Sequence, residues 1–382
     1  MTPDPTDAAS TAGRIALLVR GLAGGGAQRD AIILANGLAE RGAPSAVVTL
    51  DAKGPLRALI DSRVILVDLG AGRKLRLAAA IPALRRYFRD AGPAVFIASE
   101  ASGNAVATLA WRSLPKAQRP KLVLREVASP LQARRTDPYL QNRIGYAIAP
   151  WIYPMADLVV ALTWPARRDL VASFRVSPEK AVCLGTNAVF SAAEYQRLSS
   201  APRRVEPNLV ATIGRLSAEK DFASLIGAIA LTRKTRQVRL ALAGDGPERP
   251  VLEALVAAHG LADAVEFLGF QADPTPLLLR AAVFVSSSRY EGFGNVIVEA
   301  MAAGVTVVAT DAPYGPRAIL GDGRLGTLVP VGDAAALAAA ILAALDAPDR
   351  SAELRAQAAA FTGEAAADAL LALLRNKTLL DI

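Results

Sequence analysis

Short apolar runs alternate with longer runs of helical periodicity along most of the chain. Residues 14–20 and 45–50 read as buried strands, and the amphipathic stretch 27–42 between them reads as a helix that Gly42 ends. Four more apolar runs follow in the first half, at residues 63–69, 94–99, 121–126 and 157–163. Strands that alternate with helices predict a parallel sheet built from βαβ crossovers.

The same alternation restarts after a polar stretch in the middle of the chain. Residues 187–208 are rich in turn formers and contain two prolines, which predicts an interdomain linker. Beyond this stretch we predict strands at 209–216, 238–246, 264–270, 282–288 and 305–310, and helices near 221–234, 247–259, 274–281 and 295–303. The fold class is therefore α/β, with two Rossmann-like doubly wound domains facing each other across a deep cleft.

Ligands of such sheets bind at the carboxyl ends of the strands, so we expect the functional residues in the loops that follow the strands. One loop places Glu291 and Glu299 on either side of a Gly-Phe-Gly-Asn turn, with Asn295 predicted as a helix N-cap. The backbone N–H groups of Phe293, Gly294 and Asn295 would then form a small anion site. A carboxylate beside a helix N-terminus gains only about 0.3–1 kcal/mol, whereas a hydrogen bond to a charged group contributes about 1.5–3 kcal/mol. The loop therefore suits a polyhydroxylated, phosphorylated ligand; the alternative is a pair of solvated surface charges.

A second loop carries two cations after the first strand of the second domain. Arg215 stands at the strand end and Lys220 about one helical turn further along. An arginine fork and a lysine point charge can neutralise a diphosphate without a metal ion. The alternative is a pair of exposed loop charges. A third loop, residues 243–249, is another glycine turn after a strand, and three such loops at one sheet edge predict a common site.

Other classes of chemistry find little support in the sequence. There is no D-x-D pair and no Cys/His cluster, so we expect a metal-independent protein. Cys183 is the single cysteine and His259 the single histidine, which we place at a helix end. The polar residues 1–12 predict a frayed tail without a secretory signal. The apolar stretch 144–164 is interrupted by two prolines and an aspartate, which favours a buried helix followed by a strand over a membrane span.

Several motifs together resemble a known family. The runs GRL, EKDF, AGDGPE, FLGF, EGFGNVIVEAMAAG and TDAPYGPRAIL occur in this order over residues 209–320. They are similar to the donor-binding half of retaining glycosyltransferases of family 4, which have the GT-B fold. Residues 25–42 resemble the glycine-rich loop and first helix of that family, and residues 361–374 its closing helices. The resemblance implies a tail at 1–12, an acceptor-binding domain at 13–190, a linker at 191–207, a donor-binding domain at 208–360, and a C-terminal helix at 361–382 that crosses back to the first domain.

The resemblance also implies roles for single residues. Arg215 and Lys220 match the pair that grips the diphosphate, and Glu291 matches the glutamate that contacts the hydroxyls of the donor sugar; these three are the predicted catalytic residues. Glu299 matches the glutamate that holds the ribose. The nucleotide-diphosphate sugar is a co-substrate, and neither a cofactor nor a metal ion is expected. The remaining donor-binding positions are Gly25, Gly26, Gly214, Gly244, Gly269, Phe270, Gly292, Phe293, Gly294 and Asn295.

The chain also departs from the family pattern at the acceptor end. Ala318 stands where a carboxylate is common, and Gln28 replaces a usual glutamate. Many family members have a histidine near the acceptor, but the only histidine here lies in the second domain. We therefore consider Arg125 and Glu126 as candidate acceptor-binding residues; the alternative for them is a salt bridge at a strand end.

The excess of positive over negative charge is confined to the first half of the chain. The net charge is +8, with a balance of +10 over residues 1–195 and −2 over residues 196–382. A helix predicted at 72–92 has Leu77, Ile81, Leu84 and Phe88 on one side and arginines around the rest, and residues 130–154 place more arginines beside aromatic residues. Either these segments pack against the core with a solvated basic face, or they contact an anionic membrane. No nucleic-acid-binding module is recognisable, so nucleic acid is not an expected partner.

Taken together, the resemblance implies transfer of a hexosyl or N-acetylhexosaminyl unit from a nucleotide-diphosphate sugar, preferably a UDP-sugar, to a glycan or lipid-linked acceptor. We expect this reaction in cell-envelope polysaccharide synthesis, in the cytoplasm or peripherally on the cytoplasmic face of the inner membrane. Two alternatives stay open. One is a nucleotide-sugar epimerase or phosphorylase of the same fold, and the other is a catalytically silent GT-B partner subunit.

Overall fold

The computed structural model describes residues 14–70, 80–137 and 139–380, and it divides into two compact units. The first unit combines the chain up to Ala192 with the chain from Phe361 onward, and the second unit holds Ala193–Ala360. Each unit is an α/β layer structure with its own apolar core. Each is described separately below.

The described residues of the first unit form a sheet of seven parallel strands. Its strands are β1 (Ile15–Val19), β2 (Ser45–Thr49), β3 (Ile65–Asp68), β4 (Val95–Ser99), β5 (Lys121–Glu126), β6 (Leu158–Ala161) and β7 (Ala181–Cys183). Its helices up to this point are α1 (Gly26–Glu40), α2 (Ala80–Ala91), α3 (Ala101–Arg112), α4 (Pro130–Thr136), α5 (Leu140–Ile152) and α6 (Trp164–Ser173). The strand order is β3-β2-β1-β4-β5-β6-β7, so the direction of winding reverses between β1 and β4.

The second unit repeats this architecture with six parallel strands. Its helices are α7 (Ala192–Ser200), α8 (Phe222–Thr232), α9 (Arg249–Ala258), α10 (Thr275–Arg280), α11 (Asn295–Ala302), α12 (Gly315–Ile319), α13 (Ala334–Leu345) and α14 (Ser351–Ala358). Its strands are β8 (Leu209–Ile213), β9 (Arg239–Ala243), β10 (Val265–Gly269), β11 (Val283–Ser286), β12 (Thr306–Thr310) and β13 (Thr327–Val329). The order β10-β9-β8-β11-β12-β13 reverses between β8 and β11.

The last helix, α15 (Gly363–Asn376), returns to the first unit and packs along α1. Two glycines permit this close approach, because a Cβ built on Gly37 would lie 2.3 Å from the carbonyl oxygen of Gly363. Arg41 and Asp368 fasten the same pair of helices with an Nε–Oδ1 contact of 2.6 Å. The predicted fold class of two parallel-sheet, Rossmann-like α/β domains is thus confirmed, as is the helix that crosses back.

Some predictions for single segments need correction. The stretch read as a linker contains the helix α7, and the short strands β7 and β13 were not predicted. The apolar stretch 144–164 is a helix that leads through a 3-10 turn at Tyr153–Met155 into β6, as predicted. None of the helices in the described ranges has the length and apolar character needed to cross a membrane.

The described part of the basic segment 72–92 packs as a core helix. In α2, Leu84 and Phe88 are buried, and the ring of Phe88 meets that of Phe96 on β4 edge to face at 4.6 Å. Its arginines lie on the exposed side. Leu77, the first residue of the predicted apolar face, lies outside the described residues.

Candidate active site

The loops after β8 and β11 meet where the winding of the second sheet reverses. Strands β8 and β11 are direct neighbours, and such a reversal is the point at which open α/β sheets bind ligands. Lys220 comes from the loop after β8 and Glu291 from the loop after β11. Their side chains form an ion pair, with 2.6 Å between Lys220 Nζ and Glu291 Oε1. The structure therefore brings together two of the three predicted catalytic residues.

The carboxylate of Glu291 is held from several sides. The hydroxyl of Ser288 donates a hydrogen bond of 2.7 Å to the same oxygen that Lys220 contacts. The hydroxyl of Thr310 in turn donates to the carbonyl of Ser288 at 2.5 Å. The backbone N–H of Glu291 donates to the carbonyl of Pro313 at 3.3 Å. With only 10 % of its side chain exposed, Glu291 is a preorganised carboxylate rather than a mobile surface charge.

Lys220 owes its position to a tight turn. It ends a 3-10 helix, Ala218–Lys220, and the next residue, Asp221, adopts a left-handed conformation with φ 48° before α8 begins. The hydroxyl of Ser287 donates to the carbonyl of Lys220 at 2.8 Å, which ties this turn to the loop after β11. The buried carboxylate of Asp221 adds a second tie, because Nε of Arg289 lies 3.2 Å from it.

Two glycines allow the site loops to approach each other. Gly244 has φ +148°, and a Cβ there would lie 1.8 Å from the carbonyl oxygen of Gly214. A Cβ on Gly315 would lie 1.4 Å from the carbonyl oxygen of Phe293. The loops after β8, β9, β11 and β12 are therefore packed backbone against backbone. No larger residue fits at either glycine without moving a loop.

The N-terminus of α11 differs from the prediction in one respect. The N-cap is Gly294, with φ +109°, and Asn295 is the first residue of the helix. The positive φ explains the difference, since glycine adopts it without the steric cost of a Cβ. No side chain caps this helix end. The prediction of Asn295 as the N-cap is wrong, although the helix starts at the expected place directly after the loop of Glu291.

The other predicted donor-binding residues of the second unit lie at or after the ends of β8, β10 and β11. Arg215 is an exposed residue of the loop after β8, and Glu299 is half-buried in the second turn of α11. Gly269 ends β10, and Phe270 directly after it is 78 % exposed, which leaves its ring accessible for stacking. Gly292 lies in the loop between Glu291 and α11. Their contacts with a donor stay predictions.

A second polar cluster lies in the first unit, again where the winding reverses. Arg20 follows β1 and Glu100 follows β4, and Arg20 Nε lies 2.7 Å from Glu100 Oε2. Gln28, near the start of α1, donates from Nε2 to the same oxygen at 3.3 Å. Gly25 and Gly26 stand at the N-terminus of α1, with Gly25 as the N-cap. Burial raises the pKa of the Glu100 carboxyl, and Arg20 acts in the opposite direction.

Arg20 and Glu100 are not among the predicted site residues, because they are 80 positions apart and form no local motif. One signal was available: a polar residue directly after each of two strands that flank the predicted switch point. Glu100 also has φ +65°, a conformation that costs a residue with a Cβ about 1–3 kcal/mol and that occurs often at functional sites.

The structure places Arg125 and Glu126 inside the first unit. Arg125 is 2 % exposed and donates to the side-chain oxygen of Asn187, and burial lowers the pKa of its guanidinium. Glu126 accepts hydrogen bonds from the hydroxyls of Tyr146 at 2.7 Å and Tyr153 at 3.0 Å. Burial raises the pKa of Glu126 to about 7. The expected alternative, a salt bridge between the two, is not among their contacts, and acceptor binding by either residue stays a prediction.

The metal and histidine predictions can be compared with the described residues. No group of three or more His, Cys, Asp or Glu side chains in these ranges has an arrangement that could hold a metal ion. Independence of metal ions stays a prediction. His259 is the C-cap residue of α9, which is the helix-end position predicted for it.

Two family models match successive parts of the chain. The model described as glycosyltransferase family 4 matches residues 24–185, and the model described as glycosyl transferases group 1 matches residues 197–361. The two matches follow the division into units closely. The second match contains Lys220, Glu291 and Arg215, and the first contains Glu100 and Gln28.

Characterised relatives share parts of the sequence. An N-acetylgalactosaminyltransferase of Campylobacter jejuni, named for an N-acetylgalactosamine-diacetylbacillosaminyl-diphospho-undecaprenol acceptor, is 29 % identical over 55 % of this chain and 56 % of its own length. The lipopolysaccharide core biosynthesis glycosyltransferase LpsE of Rhizobium meliloti is 41 % identical over 35 % of this chain and 38 % of its own length. The matched segment of the chain thus covers 56 % of the length of the Campylobacter relative and 38 % of the length of the Rhizobium relative.

Solved structures show the same fold over nearly the whole length. Sucrose-phosphate synthase from Thermosynechococcus elongatus superimposes with a TM-score of 0.77 at 22 % identity, over 95 % of this chain and 98 % of that chain. Anabaena HepE, solved in complex with UDP-glucose, gives a TM-score of 0.72 at 22 % identity, over 95 % and 99 %. At this identity the structures support the fold alone. With the two family matches and the sheet topology, they show that the chain belongs to the GT-B glycosyltransferases of group 1 and family 4.

Proposed function

We propose that this protein transfers a hexosyl or N-acetylhexosaminyl unit from a nucleotide-diphosphate sugar, preferably a UDP-sugar, to a lipid-linked glycan, with retention of the anomeric configuration. The observation that carries this proposal is the ion pair between Lys220 and Glu291 at the switch point of the second sheet. It combines a cation suited to phosphate with a fixed carboxylate suited to sugar hydroxyls.

The cations of the loop after β8 would bind the diphosphate. Arg215 offers a planar guanidinium with several donors and Lys220 a point charge, and both residues follow β8 at the same edge of the sheet. Departure of the nucleoside diphosphate places negative charge on its terminal phosphate. Fixed positive groups at that place lower the barrier, because they need no reorganisation as the charge develops. This is electrostatic catalysis, and it requires no covalent intermediate on the protein.

Glu291 would orient the sugar of the donor. Its carboxylate is already fixed by Ser288 and Lys220, so it can accept hydrogen bonds from sugar hydroxyls without a further loss of side-chain freedom. Glu299, one helical turn beyond Asn295, would hold the ribose. The exposed ring of Phe270 would cover the base.

The acceptor would meet the first unit. There the cluster of Arg20, Glu100 and Gln28 offers a carboxylate and an amide at a switch point, which suits a hydroxyl-bearing ligand. The Campylobacter relative is named for an acceptor on diphospho-undecaprenol, and this name supports a lipid-linked acceptor here. The Rhizobium relative supports a place in the synthesis of cell-envelope polysaccharide. The donor nucleotide suggested by HepE is UDP. Since nucleotide sugars and such lipids meet at the inner membrane, we propose action on its cytoplasmic face.

A thermal-shift panel of UDP-, GDP- and ADP-sugars tests the donor. A true donor at 100 times its dissociation constant should stabilise the protein by about 2.7 kcal/mol. The protein is then incubated with that donor, with and without an undecaprenyl-diphosphate-linked sugar, and in buffer with and without a chelator. We expect glycosyl transfer only with the acceptor and no loss on chelation, with the product anomer matching that of the donor. Donor turnover to an isomer without acceptor would instead indicate an epimerase, and absence of binding by every nucleotide sugar would indicate a silent subunit.

A further inference from the structure

Helix α5 exposes a continuous apolar stripe on its outer face. Leu140 is 67 % exposed, Ile144 54 % and Trp151 59 %. Their spacing of four and seven residues places them on one side of the helix, with the exposed Ala147 between them. Met155, also exposed, continues the stripe in the 3-10 turn that follows. We refer to Leu140, Ile144, Ala147, Trp151 and Met155 as the α5 stripe.

The opposite face of α5 fixes the orientation of the helix. Asn142, Tyr146, Ala149 and Ile152 are buried in the first unit. The hydroxyl of Tyr146 donates to the buried Glu126, and a Cβ on Gly145 would lie 2.6 Å from the backbone of α3. The helix is therefore locked with its apolar stripe outward. Single exposed apolar residues are ordinary, but a contiguous set of this size marks an interaction surface.

The charge around the α5 stripe identifies the kind of surface that it would meet. Helix α5 contains no aspartate or glutamate, and its one charged residue, Arg143, is exposed beside the stripe. Helix α4, which packs on α5, adds the exposed Arg134 and Arg135. The acids that flank the α5 stripe in sequence are both half-buried. Asp137 accepts hydrogen bonds from Asn142 and from the backbone of Tyr139, and Asp157 accepts one from the backbone N–H of Leu122. Arginines on both copies would repel each other in a symmetric contact, whereas they complement an anionic surface.

We propose that the α5 stripe docks the first unit on an anionic lipid surface. The apolar side chains would enter the boundary between head groups and acyl chains, with the indole of Trp151 at the level of the head groups, and the arginines would contact lipid phosphates. This inference rests on the proposed function in one respect, because a lipid-linked acceptor is what makes such docking useful. The stripe and the charges themselves are independent of the reaction.

Vesicle co-sedimentation tests the docking. The full chain is mixed with phosphatidylcholine vesicles, with and without phosphatidylglycerol, and we expect binding that depends on the anionic lipid. The double variant I144S/W151S should lose about a hundredfold in partitioning, because each large apolar side chain withdrawn from the interface is worth about tenfold. The double variant R135Q/R143Q should lose about fivefold per arginine on anionic vesicles and nothing on neutral ones. The matched control is L231S/V251S, which removes two exposed apolar side chains of the second unit and should bind like the wild type.

A spectroscopic measurement covers the case in which a variant folds poorly. Replacing Trp111 and Trp164 by Phe leaves Trp151 as the only indole. Its emission should shift to shorter wavelength when anionic vesicles are added and stay unchanged with neutral ones. An unshifted emission, or equal vesicle binding by I144S/W151S and the wild type, would overturn the proposal. A concentration-dependent dimer that the wild type forms and I144S/W151S does not would also overturn the proposal, since the stripe would then join two copies of the chain.

The outcomes separate this inference from the proposed function. If docking is correct and the function is also correct, I144S/W151S should transfer sugar to a short-chain, water-soluble acceptor at the wild-type rate and to vesicle-embedded acceptor at a strongly reduced rate. If no nucleotide sugar binds but anionic vesicles still shift Trp151, the proposed function fails and the docking surface stands. If I144S/W151S and the wild type transfer sugar to the embedded acceptor at equal rates and bind the donor normally, the docking surface is refuted and the proposed function stands.

Discussion

If Lys220 binds the diphosphate as proposed, the diphosphate would compete with the carboxylate of Glu291 for the same ammonium group. Replacing Glu291 by Gln keeps the shape of the side chain and removes that competitor. The variant should therefore bind UDP, which lacks the sugar, more tightly than the wild type. At the same time it should transfer sugar far more slowly, because the group that we propose to orient the sugar has lost its charge.

The distance sets the magnitude. At 2.6 Å, two unit charges attract by about 6 kcal/mol for an effective dielectric constant of about 20. Most of this attraction is offset by desolvation and by the solvent that reaches the 20 % exposed side chain of Lys220. If about a quarter of it, roughly 1.4 kcal/mol, passes to the bound diphosphate, the affinity for UDP rises about tenfold. Lys220→Met should act in the opposite sense and weaken UDP by about 1.5–3 kcal/mol, the value of a hydrogen bond to a charged group.

Isothermal titration calorimetry with UDP measures these changes directly, and initial transfer rates measure the effect on the reaction. Asp263→Asn is a suitable control, since it removes a carboxylate from a surface ion pair of the second unit at Arg233. It should leave both the affinity and the rate unchanged. The reasoning is refuted if Glu291→Gln weakens UDP as much as Lys220→Met does, because the two groups would then bind the nucleotide jointly rather than compete.

Three further predictions concern the stability of the fold. Gly315→Ala should lower the free energy of unfolding, measured by urea titration, by about 3 kcal/mol and abolish donor binding, because its Cβ would lie 1.4 Å from the carbonyl oxygen of Phe293. The control is Gly227→Ala inside α8, where a Cβ would make only ordinary contacts. This variant should gain about 0.5–1 kcal/mol in the same titration. Glu126 has a pKa of about 7 in the folded protein against 4.5 for the ordinary carboxyl, so the folded state binds more protons between these values. The free energy of unfolding should therefore fall by up to about 3 kcal/mol as the pH rises through this window and stay constant above it, and urea titrations over this range should show no such slope in Glu126→Gln. Gly37→Ala should cost about 1–3 kcal/mol, measured in the same way, because the new Cβ would lie 2.3 Å from the backbone of α15.

The regular elements could be predicted because burial on both faces leaves continuous apolar runs. The strands β1, β8 and β11 each coincide with such a run to within a few residues. Strands β7 and β13 have only three residues each, too few for a period to appear. Helix α7 was taken for a linker because its polar sequence has a single buried residue, Leu198. Propensity and pattern thus identify the elements that build the cores, and they miss those at the margins.

For the candidate site, the sequence predicted which loops share an edge but not which atoms meet. The alternation of elements predicts parallel strands whose following loops share one edge of the sheet. The strand order that makes the Lys220 and Glu291 loops neighbours comes from the structure. The contact itself depends on the left-handed backbone conformation of Asp221. Nothing in the local sequence predicts that conformation, since Asp221 is not a glycine. The cluster of Arg20 and Glu100 escaped for a related reason: each residue is unremarkable alone, and only the sheet order makes them neighbours.

The return of α15 to the first unit has a consequence for how the protein is made. Ala366, Leu370 and Leu374 belong to the core of the first unit, whereas the core of the second unit comes from one uninterrupted stretch. A growing chain leaves the ribosome with its early part first, so the half that is synthesised earlier must wait for the last helix before its interior is closed. The later half can reach its final packing sooner, and during that interval the core residues of the first unit that pack against α15 are left uncovered.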